Sequence, residues 1–432
     1  MKQFGVQIGC VLGLSSPLVA QVAVPKTNPI PVYVQFMPWF QTPYTLGAGN
    51  WGFHWKMNDR NPNIIDSDGE REIASNYYPL IGPYDSSDPY VIEDQMLLMK
   101  VSGITGAIVD WYGVQGSNGD VASLLSASNK IVAATQTYGL QVGVTLEDRF
   151  STSTSEVTAN LNYLASNYYT QSNYMTVGAS KTPVVTLFGP ETYQEPSQWT
   201  TIMSGVTKKP VLVPLQYQAS QVGSPASGEM GWVYENPGSN NYSTVLGSFL
   251  SSEAGKFTNS LGVAYPGYND YYAQGDDGPG SGFVIPESNG ATLSQTLALN
   301  QTYSGNIPLG IQIATWNDYG EGTQIEPTVQ DGFTDLEEIQ KFTGVPYGLS
   351  QLQLVYDLFL AREDYLSNAT EEAMLSTAAN DINNLDFNDA QTIIDQALGI
   401  PEPAALPALA GIFLLMRRHR SKAPAASTPA RT

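Results

Sequence analysis

The sequence has few of the side chains that build metal, thiol and triad sites. Its 432 residues include one cysteine and two histidines. Cys10 lies in the N-terminal apolar stretch and His419 in a basic C-terminal segment, which leaves His54 as the single imidazole of the body. A structural zinc site needs a cluster of Cys or His ligands. The composition therefore predicts no metal and no cofactor, excludes a cysteine protease, and offers only His54 to a Ser-His-Asp triad.

Nucleotide-binding motifs and positive charge are also scarce. No G-x-x-x-x-G-K-[ST] loop and no strand-linked G-x-G-x-x-G stands out in the sequence. The chain has 19 Lys and Arg and 40 Asp and Glu, which gives a formal net charge of −21. Charged residues make up only 14% of the chain, against about 25% in average soluble proteins. A body this acidic is expected to repel nucleic acid and anionic membranes and to suit a neutral substrate.

The N-terminal end has the pattern of an export signal. Met1 and Lys2 precede an apolar run that ends in the small-residue stretch Ser-Pro-Leu-Val-Ala20. This order is typical of a signal peptide with its cleavage site. We therefore expect residues 1–20 to be a signal peptide and the protein to be exported.

The C-terminal end combines three features in a fixed order. The segment Ile400-Pro-Glu-Pro403 precedes the apolar stretch 404–416, and the basic cluster Arg417-Arg-His-Arg420 follows. The apolar stretch is shorter than the roughly 20 residues that a membrane span needs. The order of these features in residues 400–432 resembles the PEP-CTERM sorting signal of exported bacterial proteins. The resemblance implies processing by an exosortase-like enzyme, only transient contact of the tail with the membrane, and an extracellular or cell-surface location of the protein. An ordinary membrane anchor or an unstructured tail is the alternative.

Between the two ends, apolar β-branched runs alternate with helical patterns. The candidate strands are Pro31–Phe40, Gly106–Tyr112, Leu140–Leu146, Pro183–Phe188, Pro210–Gln216, Gly231–Tyr234, Gly262–Tyr265 and Ile307–Ala314. The candidate helices are Val91–Ser102, Asp120–Tyr138, Ser155–Tyr168, Tyr242–Ala254, Ala291–Tyr303 and a closing helix Tyr347–Leu366. Eight strands separated mostly by helices predict a single (β/α)8 TIM barrel over residues 27–366. A doubly wound open sheet is the alternative.

The stretch after the closing helix is polar and rich in Asn and Asp. Residues 367–399 show only a weak helical pattern and are predicted to be a spacer between the barrel and the tail. The Asn-Asp repetition does not complete a calcium-binding loop pattern, so no metal is expected there.

Two carboxylates stand directly after the last candidate strand. They lie in the motif Thr315-Trp-Asn-Asp-Tyr-Gly-Glu-Gly-Thr-Gln-Ile-Glu-Pro327, where Asp318 and Glu321 are three residues apart and aromatic Trp316 and Tyr319 lie beside them. Glycosidases use a pair of carboxyl groups, one as the acid and one as the base or nucleophile. The pair therefore predicts glycoside hydrolysis. The alternative is that one of the two acids caps a loop or lies on the surface.

Acidic and aromatic residues also follow most of the other candidate strands. Chemistry in a (β/α)8 barrel takes place where the strands end, so these residues are candidates for sugar contacts. The candidates are Trp39, His54, Trp55, Asp110, Tyr112, Glu147 and Tyr268, together with Trp316 and Asn317 of the last motif. Asp110 could instead be a buried structural acid, and Glu147 with Asp148 could form a rim ion pair with Arg149. Glu326 is expected to brace the loop, and Asp276 and Asp277 to be solvated loop charges.

The order of these blocks resembles glycoside hydrolase families 71 and 99, which are related (β/α)8 enzymes. The blocks are Met37-Pro-Trp-Phe40, His54-Trp55, Ile81-Gly-Pro-Tyr-Asp-Ser86, Val109-Asp-Trp-Tyr-Gly113 and the last motif. The resemblance spans residues 31–366. It implies that Glu321 is the acid that protonates the glycosidic oxygen, and that Asp318 either activates water or deprotonates a sugar hydroxyl.

The last motif combines features of both families. Asp318 stands where family 99 typically has Glu, and Tyr319 and Gly320 stand where it has Trp and His. Trp-Asn-Asp-Tyr-Gly-Glu resembles family 71, the α-1,3-glucanases, whereas Gly-Thr-Gln-Ile-Glu-Pro resembles family 99, the endo-α-mannosidases and mannanases. We therefore expect an exported hydrolase of an α-mannan or α-1,3-glucan type of polysaccharide. A catalytically silent carbohydrate-binding barrel and a sorted surface protein are the alternatives.

Overall fold

A computed structural model describes residues 22–365 and 368–399. The predicted signal peptide, residues 1–20, and the predicted sorting tail, residues 400–432, lie outside this part of the chain. Within the described residues, no helix is both long enough and apolar enough to cross a membrane.

The centre of the molecule is an eight-stranded, mainly parallel sheet. Its strands are β1 (Val32–Phe36), β2 (Gly106–Trp111), β3 (Gln141–Leu146), β4 (Thr176–Val177), β5 (Thr182–Leu187), β6 (Val211–Pro214), β7 (Gly262–Ala264) and β8 (Ile311–Ile313). The parallel strands follow the order β6-β5-β3-β2-β1-β8-β7, and the short β4 pairs antiparallel with β5. Because the strands are parallel, their carboxyl ends share one edge of the sheet, where the loops that carry the site begin.

Thirteen helices connect or follow the strands in the described residues. They are α1 (Pro43–Leu46), α2 (Phe53–Lys56), α3 (Pro89–Val101), α4 (Val121–Tyr138), α5 (Thr154–Asn167), α6 (Pro196–Ser204), α7 (Ala219–Val222), α8 (Tyr242–Ser252), α9 (Ala291–Thr302), α10 (Thr334–Thr343), α11 (Leu349–Tyr365), α12 (Ala369–Asn383) and α13 (Phe387–Ala397). The six predicted helices correspond to α3, α4, α5, α8, α9 and α11. The other seven were not predicted: the four-residue helices α1, α2 and α7, and the longer helices α6, α10, α12 and α13.

Helix α3 shows why the apolar periodicity was informative. It begins after Asp88, whose side chain accepts a hydrogen bond from Tyr90 N at 2.9 Å. An Asp at this position satisfies one of the backbone donors that a helix start leaves unpaired. Met96, Met99 and Val101 are completely buried and belong to the main hydrophobic core, which also contains Val34 of β1 and Val109 of β2.

The predicted strand Gly231–Tyr234 is wrong. Only a short segment there pairs with its neighbours: Met230 forms isolated parallel bridges to Leu215, after β6, and to Leu261, before β7. The last of these backbone bonds runs from Gly231 N to Leu261 O at 3.1 Å. Gly231 permits this close packing, since a Cβ there would lie 2.6 Å from Cγ1 of Val263. The backbone pairing ends at Gly231, so the apolar and aromatic residues 232–234 form a loop instead of a strand.

The segment predicted as a polar spacer, residues 367–399, forms the packed helices α12 and α13 over most of its length. Leu375, Ile382 and Ile394 are completely buried and join the main hydrophobic core. Arg362 of α11 also pairs with Glu372 of α12 at 2.7 Å, between Nη1 and Oε2. The spacer prediction failed because polar residues cover the outer faces of two helices whose apolar faces are narrow.

Candidate active site

The loop after β8 holds Asp318 and Glu321 side by side. Asp318 N donates a hydrogen bond to Thr315 Oγ1 at 2.7 Å, and Glu321 N donates to Asp318 Oδ1 at 2.9 Å. Asp318 is 3% exposed. Glu321 Oε2 is buried and has no hydrogen-bond partner among the described residues. Both side chains line one cavity of 310 Å³, so the sequence-predicted pair faces a space that a substrate can enter.

The two carboxyl groups differ in their affinity for protons. Burial raises the pKa of Asp318 to about 6, while hydrogen bonds from the backbone of Glu321 and Gly320 act in the opposite direction. Burial, followed by the charges of Asp318 and Asp270, raises the pKa of Glu321 well above its ordinary value. Two interacting carboxyl groups in one buried site do not both ionise readily. Of the two, Asp318 therefore loses its proton first, and Glu321 keeps its proton to higher pH.

A stacked aromatic pair forms one wall of the cavity. The rings of Trp39 and His54 are 4.3 Å apart and nearly parallel, with an interplanar angle of 5°. Burial lowers the pKa of His54 to about 3, so its imidazole is neutral at neutral pH. Its Nε2 lies 3.8 Å from Asp120 Oδ2. Trp39, His54 and Tyr112 all line the cavity, where the sequence predicted substrate contacts.

A second acidic pair lies at the carboxyl ends of β2 and β3. Asp110 is 2% exposed and its Oδ2 has no hydrogen-bond partner among the described residues. Glu147 Oε2 lies 2.5 Å from Nε of Arg149, and Arg149 itself lines the cavity. Burial raises the pKa of Glu147 to about 7 despite the arginine, and burial together with Glu147 raises the pKa of Asp110 well above its ordinary value. The predicted ion pair of Glu147 is confirmed, while sugar contacts by Asp110 and Glu147 stay predictions.

Tyrosines from the loop after β7 lie beside the catalytic candidates. Tyr268 is mostly buried, and burial followed by the charge of Glu321 raises its pKa. Tyr272 lines the cavity, and burial followed by Asp318 and Glu321 raises its pKa well above the ordinary value. The sequence pointed to Tyr268 but missed Tyr272. The tyrosine run that continues the same loop to Tyr271 and Tyr272 was the available signal.

Three predicted substrate contacts are wrong, because their side chains are completely buried and bonded within the protein. Trp55 Nε1 donates to Tyr84 O at 2.7 Å. Trp316 Nε1 donates to Glu326 Oε1 at 3.3 Å. Asn317 Nδ2 donates to Met37 O at 3.0 Å, and its Oδ1 accepts from Met37 N at 2.8 Å. These side chains fix the loops around the cavity.

Glu326 braces the same loop, as predicted. Its carboxylate accepts hydrogen bonds from Tyr84 Oη at 2.7 Å, Tyr319 Oη at 2.9 Å and Gln95 Nε2 at 2.6 Å. Burial raises the pKa of Glu326 to about 7, and the surrounding donors oppose this rise. Tyr84 belongs to the block Ile81–Ser86, so that motif supports the catalytic loop from behind.

Several residues that line the cavity were not among the predicted substrate contacts. They are Phe40, Phe53, Met57, Phe188 and Gly320. Asp277 also lines the cavity, and it is exposed, as expected for a loop charge. Asp148, next to the ion pair, instead accepts hydrogen bonds from the backbone of residues 191–193. No group of three or more His, Cys, Asp or Glu in the described part of the chain could hold a metal ion.

Comparisons with known proteins agree with this chemistry. Residues 32–214 match the family model described as Glycosyl hydrolase family 99. Over these residues the chain is similar to glycoside hydrolase family 99. The family match covers β1 to β6 and ends before Asp318 and Glu321, so the assignment of these two residues depends on the geometry of the site and on the motif that contains them.

Two curated relatives show the same similarity. The glycoprotein endo-alpha-1,2-mannosidase-like protein of Danio rerio is 24% identical over 278 residues, which is 60% of this chain and 60% of that protein. The glycoprotein endo-alpha-1,2-mannosidase of Xenopus laevis is 25% identical over 145 residues, or 32% of each chain. The chain thus spans 60% of the length of the first relative and 32% of the second, which is less than two thirds of either.

Solved structures establish the shared α/β fold. The GH99 endo-alpha-mannosidase of Bacteroides thetaiotaomicron superposes with a TM-score of 0.56 at 18% identity, over 75% of this chain and 98% of that structure. A structure described as a glycoside hydrolase-like protein gives a TM-score of 0.53 at 11% identity, over 76% of this chain and 97% of the other. At these identities the similarity concerns the fold.

Proposed function

We propose that this protein hydrolyses α-mannosidic bonds within a polysaccharide, with Glu321 as the acid and Asp318 as the base. The observation that carries the proposal is the pair itself. Two buried carboxyl groups line one cavity with an aromatic wall, and the pKa of Glu321 is raised further than that of Asp318. Separate pKa values for two neighbouring carboxyl groups are how glycosidases assign the roles of acid and base.

The proton transfers follow from this assignment. Protonated Glu321 gives its proton to the glycosidic oxygen as the bond from that oxygen to the anomeric carbon breaks. Ionised Asp318 accepts a proton from the attacking oxygen, which belongs either to water or to the 2-hydroxyl of the sugar. Glu321 Oε2 has no internal partner, so its proton is available to a substrate. The N–H of Glu321 holds Asp318 Oδ1, which leaves Oδ2 to accept the second proton.

The names of the curated relatives favour α-mannan over α-1,3-glucan as the substrate. Both relatives are described as endo-alpha-1,2-mannosidases or as similar to them. The aromatic stack of Trp39 and His54 suits a neutral sugar ring, and neutral His54 can accept or donate one hydrogen bond to a hydroxyl. Because residues 316–321 of the last motif resemble the α-1,3-glucanases, α-1,3-glucan is the comparison substrate for the test.

The same proposal includes a closed (β/α)8 barrel. The parallel sheet runs from β6 to β7, and the bridges of Met230 to both Leu215 and Leu261 join its two ends. Met230 N donates to Pro214 O at 2.8 Å, and Leu261 N donates to Glu229 O at 3.0 Å. These bonds support closure through the segment 229–231, which takes the place of an eighth parallel strand between β6 and β7.

Export and cell-surface sorting complete the proposal. Their support is the pattern of residues 1–20 and of residues 400–432, together with the net charge of −21. Mass spectrometry of the protein recovered from its native host tests them. Loss of residues 1–20 and cleavage near Pro401 are the expected results, whereas an intact chain in the cytoplasm contradicts export and exosortase-like processing.

Product formation from a panel of polysaccharides tests the enzymatic proposal. The purified protein is incubated with α-mannan, α-1,3-glucan and other α-glucans, beside Asp318→Asn and Glu321→Gln. We expect shorter oligosaccharides from α-mannan and none from either variant. Release from α-1,3-glucan alone would reassign the substrate. A folded wild-type protein that releases product from no polymer contradicts the enzyme and favours a carbohydrate-binding barrel.

A further inference from the structure

A second cavity of 590 Å³ lies at the same edge of the sheet, beyond β6. Three aromatic side chains line it: Tyr217 from the loop after β6, and Trp232 and Tyr234 from the loop after Met230. We call this cavity the Tyr217–Tyr234 groove. The mechanism above does not use any of its residues.

Two of the three aromatic rings of the groove are exposed to solvent. Tyr217 is 54% exposed and Tyr234 is 43% exposed. Tyr217 also has a φ of 67°, in the left-handed region that bulky residues rarely adopt. Its ring contacts the ring of Phe249 edge-on, with centroids 6.1 Å apart. The backbone conformation and this ring contact together hold the Tyr217 ring in a defined position. Unusual backbone conformations of this kind concentrate at binding sites.

No charged residue lines the groove, although the chain has 40 acidic residues. Its polar wall consists of amides and hydroxyls, among them Gln218, Asn236 and Asn241. The acid of this segment, Glu235, is 2% exposed and does not line the groove. Gln218 Oε1 is buried without a hydrogen-bond partner among the described residues, so a hydroxyl donor at the wall would satisfy it. This is the chemistry of a site for neutral, hydroxyl-rich ligands.

Aromatic contacts connect the groove to the cavity of Asp318 and Glu321. Phe188 lines that cavity, and its ring meets Trp232 of the groove edge-on at 5.0 Å. On the other side, Phe283 lies 6.0 Å from Tyr234 and 4.8 Å from Tyr268, measured between ring centroids. The two cavities are therefore neighbours along one surface.

We propose that the Tyr217–Tyr234 groove is a distal saccharide-binding site, which holds sugar units of a long neutral glycan several positions away from the bond that is cut. This inference depends on the proposed function for the identity of the glycan. The rings of Tyr217 and Tyr234 stack on sugar faces, and the amides of the wall bond to hydroxyl groups. The consequence is a preference for long chains over short ones.

Two variants and one matched control test the groove. Tyr217→Ala and Tyr234→Ala remove the exposed rings, while Tyr44→Ala removes an exposed tyrosine that lines neither cavity. Each variant is assayed for kcat/KM on polymeric α-mannan and on an α-mannosyl trisaccharide. We expect each groove variant to lose about five- to ten-fold on the polymer, the range for truncating an aromatic anchor. The trisaccharide rates and the Tyr44→Ala rates should stay within about two-fold, because neither depends on the groove.

Retention in a gel that contains α-mannan separates this inference from the proposed function. Retention of the wild type and its loss in the groove variants support the groove even where no hydrolysis occurs. Unchanged retention and unchanged polymer rates in both groove variants overturn it while leaving the catalytic proposal intact. Equal losses on polymer and trisaccharide also overturn it, and so does a wild type that no α-mannan or α-glucan gel retards. Thermal melting confirms that each variant is folded.

Discussion

The backbone N–H of Glu321 donates a hydrogen bond to Asp318 Oδ1 at 2.9 Å. One candidate catalytic residue thereby fixes the side chain of the other, and the spacing of three residues along the loop makes the bond possible. The bond leaves the Glu321 carboxyl free to point into the cavity. It also stabilises the ionised form of Asp318, which keeps its pKa below that of Glu321.

The pH dependence of the rate should report this pair. Activity requires ionised Asp318 and protonated Glu321, so the rate should rise as the pH passes about 6, the pKa of Asp318. It should fall again at higher pH, where Glu321 loses its proton. Initial rates on α-mannan between pH 4 and 10 measure both limbs. An acid limb near pH 4, the ordinary range of an aspartate, would contradict the assignment.

His54 should contribute through its ring nitrogens and also through its ring face. In His54→Phe the stack on Trp39 is kept but the hydrogen bond to a sugar hydroxyl is lost, so kcat/KM should fall by about three- to ten-fold. His54→Ala should lose more, because the stack disappears as well. Asp120→Asn, which changes the carboxylate 3.8 Å from Nε2, is the control. Wild-type activity in His54→Phe would exclude the sugar contact.

The four donors around Glu326 should make it important for stability. Glu326→Gln replaces an acceptor oxygen by an NH2 group, which leaves donors from Tyr84, Tyr319, Gln95 or Trp316 without a partner. We expect a loss of about 2–4 kcal/mol in the free energy of unfolding at neutral pH. Urea unfolding measures it, with exposed Asp364→Asn as the control. A change as small as that of the control would show that the network is not stabilising.

Stability should decrease as the pH rises from 5 to 9, and Asp335 should account for part of this. Burial raises the pKa of Asp335 from 3.8 to about 8, with Asp331 and Glu338 contributing. Since the folded pKa lies above the unfolded one, the folded state binds the proton more tightly. That stabilisation is complete below about pH 4 and is lost as the pH passes 8.

Asp335→Asn removes this titration and should make the melting temperature less dependent on pH. Differential scanning calorimetry at pH 5, 7 and 9 compares it with Asp68→Asn, an exposed acid. We expect the variant to gain about 2 °C or more relative to the wild type at pH 9, and little at pH 5. An identical slope of melting temperature against pH in both proteins would contradict a buried, protonated Asp335.

The sequence predicted the architecture well where a local pattern decided it. Apolar runs such as Gly106–Trp111 are typical of strands that are buried on both faces of a parallel sheet, and the helical periodicity of α4 shows one apolar face. The failure at Gly231–Tyr234 has a tertiary cause, since that segment pairs only through residues 229–231. The failure at 367–399 arose because a narrow apolar stripe is hard to recognise among polar residues.

The site was predictable in its acids and less so in its aromatics. Asp318 and Glu321 are only three residues apart in the sequence, so their proximity needed no knowledge of the fold. Trp316 and Tyr272 show the limit, because residue type does not reveal which way a loop side chain faces. Trp316 turns inward to Glu326, while Tyr272 reaches the cavity from another loop. Phe188 and Met57 enter the cavity only through tertiary packing.

Hydrolysis of substrates that differ in leaving group is the most direct test of the central claim. The fluoride ion of an oligo-α-mannosyl fluoride leaves without being protonated, whereas the glycosidic oxygen of α-mannan needs a proton to leave. Glu321→Gln should therefore lose about a thousand-fold or more on α-mannan and retain fluoride hydrolysis. Asp318→Asn should lose both activities, because the attacking oxygen still needs a base. Wild-type rates on α-mannan in either variant, or a wild type that cleaves neither substrate, would contradict the account.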